Sequence, residues 1–132
     1  MAASARIDNV LRYNRGITTG HVESYFWRAN DPNARRAFWL KATILARQGR
    51  QPATADIWCC TFDGATGEIW GGRQTFAFDE TRFEGAPLEI ELGASKFILD
   101  PESGRSSGLL KNSRGSCSWD ITWQPGSGFL SN

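Results

Sequence analysis

The sequence predicts an all-β antiparallel protein, a barrel or partly open barrel, and three observations carry that expectation. From residue 22 onward apolar and polar side chains alternate with a period of two, the spacing at which successive side chains of a strand point to opposite faces. Clusters rich in Gly, Pro, Asn, Asp and Ser interrupt the alternation at regular intervals, as hairpin turns do. No long helical periodicity, internal repeat or low-complexity tract competes with this pattern.

The elements follow in order. Residues 1–20 form an N-terminal arm or short helix, because Ile7, Val10 and Leu11 in "IDNVLRYN" fall at i, i+3, i+4 before the loop "RGITTG". Residues 21–132 make one β domain. Its first strand is "VESYFWRA" (22–29), ended by "NDPNA"; the second is "AFWLKATILAR" (37–47), ended by "QGRQP"; the third is "TADIWCCTF" (54–62). The tight turn "DGATGE" returns the chain into "IWGGRQTFAF" (69–78). "DETRFEGAP" reads as a turn, and "LEIEL" (88–92) then sets Leu88, Ile90 and Leu92 against Glu89 and Glu91. After "SKFIL" (95–99), "DPESGRSS" reads as another turn, "GLLKNS" as a short strand and "SCSWDITWQ" (116–124) as the last strong one. Seven or eight strands at roughly regular spacing result, which leads to an antiparallel barrel or sandwich.

Length and charge bound the function. At 132 residues the chain holds about one domain. Fifteen Lys plus Arg against fourteen Asp plus Glu leave a net charge of +1, so the overall balance points neither to nucleic acid nor to an anionic membrane. Arginines outnumber lysines twelve to three but are scattered, and the densest groups, Arg35-Arg36 and Arg47 with Arg50, fall in expected loops. The apolar runs are too short for a membrane-spanning helix, and the N-terminus lacks the apolar stretch of a secretory signal. Three cysteines, two of them adjacent as Cys59-Cys60, and one histidine, His21, give no metal-ligand spacing. The expectation is a cytoplasmic protein with reduced thiols and no metal site, in which adjacent cysteines face opposite ways and at least one is a small buried apolar residue.

Several strands carry apolar groups on both faces. The second sets Phe38, Leu40, Ala42, Ile44 and Ala46 against Trp39, Lys41, Thr43, Leu45 and Arg47; the third sets Ile57 and Cys59 against Trp58, Cys60 and Phe62. Six tryptophans in so short a chain fit either a lined ligand cavity or a large packed core. The Gly71-Gly72 pair inside a strand marks a bend by which a sheet closes, or relieves crowding from a facing Trp.

"GHVESYFWRANDP", "AFWLKATI", "GGRQTFAF" and "GSCSWDITWQP" together resemble the N-terminal lipocalin-like domain of the family that groups AttH-like proteins with carotenoid hydratases of the hydroxyneurosporene synthase type, over most of residues 20–125. The resemblance implies a calycin barrel that binds a large apolar molecule, isoprenoid- or polyketide-like, without metal or organic cofactor, in which cavity acids and aromatic rings can protonate or fold a polyene. Family members carry two such domains in a longer chain, which implies here a homodimer or a companion domain.

The residues themselves offer no nucleophile–base pair, no G-x-S-x-G elbow and no phosphate loop. What remains is a set of ionisable groups on strands beside aromatics: Glu23, Lys41, Asp56, Arg73 and Asp120. Asp120, between Trp119 and Trp123, is the candidate general acid, since desolvation beside indoles raises a carboxyl pKa; its alternative is a solvated surface residue. Glu23 is the second candidate, near His21 and on one face with Tyr25 and Trp27. The candidate ligand-binding set is Tyr25, Trp27, Trp39, Lys41, Trp58, Trp70, Arg73, Trp119 and Trp123, with Lys41 and Arg73 expected to pair with carboxylates inside the barrel. The expected function is binding of a hydrophobic small molecule, with acid-catalysed hydration or cyclisation as its enzymatic form. Two rivals stand beside it: a carbohydrate-binding β-sandwich, and an oligomeric half-barrel that binds protein through an open edge.

Overall fold

The computed structural model describes residues 11–14, 16, 19–49, 52–100 and 102–124. Among the described residues it is all-β, with nine strands in two antiparallel sheets. The first sheet has the order β1-β2-β3-β4, made of His21–Asp31, Arg36–Ala46, Thr54–Asp63 and Ile69–Ala77. The second has the order β5-β6-β7-β8-β9, made of Arg82–Glu84, Leu88–Leu92, Ser95–Leu99, Gly104–Asn112 and Gly115–Trp123. A 3-10 turn, Phe78–Glu80, joins β4 to β5. Every strand pairs with its neighbour in sequence within a sheet, so the topology is a pair of meanders.

The sheets face each other over one core, but β1 and β9, each the outermost strand of its sheet, are not paired, and the barrel stays partly open. Alternation decides which side chains enter the core. From the first sheet come Tyr25, Leu40, Ala42, Ile44, Ala55, Ile57 and Cys59; from the second come Phe83, Leu88, Ile90, Leu92, Phe97, Leu99 and Leu110. Each large apolar side chain among them contributes about 1.5–3 kcal/mol by leaving water.

The aromatic residues complete the interior by lying down on glycines. A methyl group added at Gly104 would come within 2.2 Å of the Trp123 ring, at Gly108 within 2.3 Å of Trp119, at Gly72 within 2.6 Å of Trp70 and at Gly93 within 2.7 Å of Phe76. Gly104 and Gly108 are the direct β8 partners of Trp123 and Trp119 on β9. The glycines are therefore the slots into which the large rings fold flat.

Most strand expectations match to within a residue or two, with two differences. "GRSS" is the start of a long β8 and not a turn: Ser106 is buried, its hydroxyl donating to the Lys96 carbonyl at 2.7 Å, and the two glycines make room for tryptophans. "RFE" is the short strand β5, whose Phe83 fills the core while Arg82 and Glu84 stay outside. The Gly71-Gly72 pair produces no bulge, since the β3–β4 register runs unbroken from Thr54↔Ala77 to Phe62↔Ile69; relief of crowding by Trp70 is its role. The expected helical patch over 7–14 falls mostly outside the described residues; residues 11–14 carry no regular structure, although Leu11 and Tyr13 pack against the core.

Candidate functional site

β9 crosses the inner face of the first sheet from one side to the other. Its start lies at Trp70 of β4, where a methyl group on Gly115 would sit 3.3 Å from the indole nitrogen. Cys117 then meets Cys59 of β3 with the sulfurs 3.4 Å apart, and Trp123 at the far end meets Trp27 of β1 with ring centroids 6.0 Å apart. Beyond this crossing strand the hairpins β1–β2 and β3–β4 overhang. Their inner-facing row is Ala29↔Phe38↔Thr61↔Trp70, and the row Asp31↔Arg36↔Asp63 lies one step further toward the hairpin ends.

The overhang and the gap between β1 and β9 make two clefts that share Ala29 and Phe38. One, of about 520 Å³, runs under the overhang from Phe38 to Trp70 and ends at the charged side chains of Asp31, Arg36, Asp63 and Glu68. The other, of about 590 Å³, lies between the strands and is lined by Trp27, Phe38, Ile121 and Trp123 with Phe26 and Arg28 at its margin. Its floor is rigid: Trp27 stacks on the buried Phe97 at 4.3 Å and an interplanar angle of 11°. At the rim Arg36 approaches Asp63 at 3.9 Å, both partly solvated, a weak pair that a ligand can displace at little cost.

The structure sorts the sequence-derived candidates into five places. Trp27, Trp70 and Trp123 line the clefts. Trp119 lies behind them, its indole N–H donating to Ser106 Oγ at 2.9 Å, and acts as packing.

Glu23 and Tyr25 belong to a buried cluster at another part of the core. The Tyr25 hydroxyl donates to Glu23 Oε2, the Arg12 backbone N–H donates to the same oxygen at 3.0 Å, and His21 Nε2 lies 2.9 Å from Oε1. Burial pushes the Glu23 carboxyl up, but the three hydrogen bonds and the His21 imidazole outweigh it and hold the group below its usual range. Burial and the neighbouring carboxylate push the Tyr25 phenol up, so it remains a donor. A carboxylate held ionised in this way accepts hydrogen bonds; a general acid needs the opposite shift. The expected proximity of Glu23, His21 and Tyr25 is present, as a satisfied structural network.

Asp120 is exposed, on the outer face of the second sheet, opposite Ser107. Its row across that face reads Arg82, Glu91, Lys96, Ser107, Asp120. The neighbouring indoles point the other way, so the desolvation on which an acid role would depend is not there.

Trp39, Lys41, Trp58 and Arg73 sit together on the outer face of the first sheet, not in its interior. Alternation puts them opposite Leu40, Ile57, Cys59 and Gly72, which face the core. Lys41 Nζ lies 4.8 Å and the Arg73 guanidinium 5.0 Å from the Trp58 ring centre. Cation–π contact takes the place of the expected internal salt bridges. Asp56, on the same face, is buried and accepts from the Thr75 hydroxyl.

Sequence reasoning missed Phe38, Ile121 and the overhanging rim residues Asp31, Arg36, Asp63 and Glu68. Only the position at which β9 crosses the first sheet makes them a cleft. It also missed the approach of Cys59 to Cys117, residues far apart in sequence on different sheets.

Among the described residues no group of three or more His, Cys, Asp or Glu side chains could hold a metal ion, and no helix is long and apolar enough to cross a membrane. Comparison with protein-family models, with curated proteins and with solved structures finds no match to this chain.

Proposed function

We propose that the protein binds a hydrophobic small molecule in the cleft between β1 and β9, as the lipocalin-like resemblance to the AttH-like and carotenoid hydratase family implies. The observation that carries the reading is the pair of adjoining clefts, about 520 and 590 Å³, with an aromatic floor of Trp27, Phe38, Trp70 and Trp123 and a charged rim at one end. Volumes of this size suit a ligand of drug-like or isoprenoid dimensions, and an apolar floor with a few polar groups at one end orients a molecule that has one polar terminus. An elongated isoprenoid- or polyketide-like compound has that form. The activity proposed is binding without turnover, because neither Asp120 nor Glu23 lines the clefts. A cytoplasmic location fits the three free thiols.

The test uses farnesol as probe, followed by quenching of tryptophan fluorescence and by calorimetry. The wild-type protein is expected to bind it saturably, one per chain. Ala29 is exposed and lines both clefts, so Ala29→Trp fills them without entering the core and is expected to weaken binding more than tenfold. Equal binding by Ala29→Trp, or no binding by the wild type, refutes the cleft reading.

A further inference from the structure

The outer face of the first sheet carries a second arrangement that the cleft reading does not use. The register sets Phe26, Lys41, Trp58 and Arg73 side by side in one row, and Arg28, Trp39, Cys60 and Gly71 in the next. Aromatic and cationic side chains therefore alternate across all four strands in the first row and across β1 and β2 in the second. Phe26 and Trp39 contact each other at 5.8 Å, and Phe26 is 53% exposed. The outer face of the second sheet is different in kind: there Arg82 meets Glu84 at 3.2 Å and Glu91 at 3.4 Å, and charges of both signs offset one another.

Within the outer face of the first sheet lies a groove of about 310 Å³, walled by Trp39, Trp58 and Arg73 and floored by Cys60, Gly71 and Gly72. Three features mark it as a receptor. First, the floor is open, since a methyl group on Gly71 would meet only the Cys59 carbonyl oxygen, at 4.0 Å. Second, Arg73 and Lys41 are held over the Trp58 ring and reach no carboxylate among the described residues; the face's one acid, Asp56, is buried and bonded to Thr75. Third, the indole N–H of Trp58 is buried without a hydrogen-bond partner, which is rare for a native polar group.

We propose that this groove binds a six-membered ring that presents an apolar face and bears a carboxylate. The carboxylate meets the Arg73 guanidinium, whose planar fork matches it. The ring lies against the Trp39 indole, over the space that Gly71 leaves open. The groove holds one ring and not a chain of them, so the ligand is a monomeric acid or the terminal unit of a longer one. Two sources share this chemistry, a sugar acid and an aromatic acid.

The experiment titrates the ¹⁵N-labelled protein with galacturonate, benzoate and neutral galactose while following the tryptophan indole N–H resonances, assigned with Trp39→Phe and Trp58→Phe. At least one acid is expected to shift the Trp39 and Trp58 resonances saturably, and galactose to leave them in place. A response to galacturonate alone assigns the sugar-acid source, and a response to benzoate alone the aromatic one. Arg73→Gln, at an exposed position, is expected to weaken the response at least tenfold, and Gly71→Val, which fills the floor from outside the core, to abolish it. Ala29→Trp is expected to leave it unchanged, which separates this groove from the cleft. No saturable shift with either acid, an equal response to galactose, or full binding by Gly71→Val overturns the proposal.

Discussion

Replacing Gly108 by alanine adds one methyl group, and the structure fixes where it goes. The new carbon would lie 2.3 Å from Trp119 Cζ2, 2.7 Å from its Cε2 and 2.6 Å from Ser95 Oγ. None of these can stay. Trp119 must swing off β8, and its hydrogen bond to Ser106 Oγ, 2.9 Å long, is lost, leaving the buried Ser106 without that donor. Overpacking of this kind costs about 1–3 kcal/mol, and loss of the hydrogen bond costs about 1 kcal/mol more. The expected destabilisation is therefore about 2–4 kcal/mol, or roughly 8–16 °C in Tm for a domain of this size. Urea titration followed by circular dichroism measures it as a lower midpoint at unchanged slope. The same substitution in a Trp119→Leu background is expected to cost less, because the clashing ring is gone and only the contact with Ser95 remains; the difference is the coupling energy of the pair. Gly71→Ala is the control: it is also a strand glycine, but its methyl group points into open space, and it is expected to be neutral or stabilising by up to about 1 kcal/mol. A loss below about 0.5 kcal/mol for Gly108→Ala, or equal losses for the two glycines, would show that Trp119 is not seated on Gly108.

Asp120→Asn is expected to change stability by less than about 0.5 kcal/mol and to leave farnesol binding intact, since the residue is exposed and bonded to nothing in the core; a large loss of either would restore it to the site. Glu23, held below its usual pKa in the fold, contributes stability that is present above the unfolded value and lost as pH falls through the folded one. Wild type is thus expected to lose stability relative to Glu23→Gln as pH is lowered below about 4.5 in thermal melts, and parallel melting curves would contradict this. Cys59 and Cys117 are free, with sulfurs 3.4 Å apart on different sheets, so diamide, an azo oxidant that takes up both thiol hydrogens, is expected to join them. Peptide mapping should find the Cys59–Cys117 disulfide in wild type and not in Cys59→Ser; exclusive pairing through Cys60 would refute the placement.

The period of two identified the β class and almost every strand, because side-chain alternation is a local property of extended backbone. "LEIEL" and "SKFIL" carry their faces in their letters, and both match the structure residue for residue. β8 was harder to read, since "GRSSG" has turn composition and only the tryptophans opposite it explain why glycine and serine belong in a strand. Alternation also grouped Trp39 with Lys41, and Trp119 with Trp123, correctly by face. What it could not say is which face is inside when both carry aromatics. Tertiary structure decided that by setting Leu40, Ile57 and Cys59 toward the second sheet and turning Trp39, Lys41, Trp58 and Arg73 outward. The clefts have the same origin. Their walls come from β1, β2, β3, β4 and β9, and they exist because β9 crosses the first sheet short of its hairpin ends, a matter of how two sheets pack and not of any one strand's sequence.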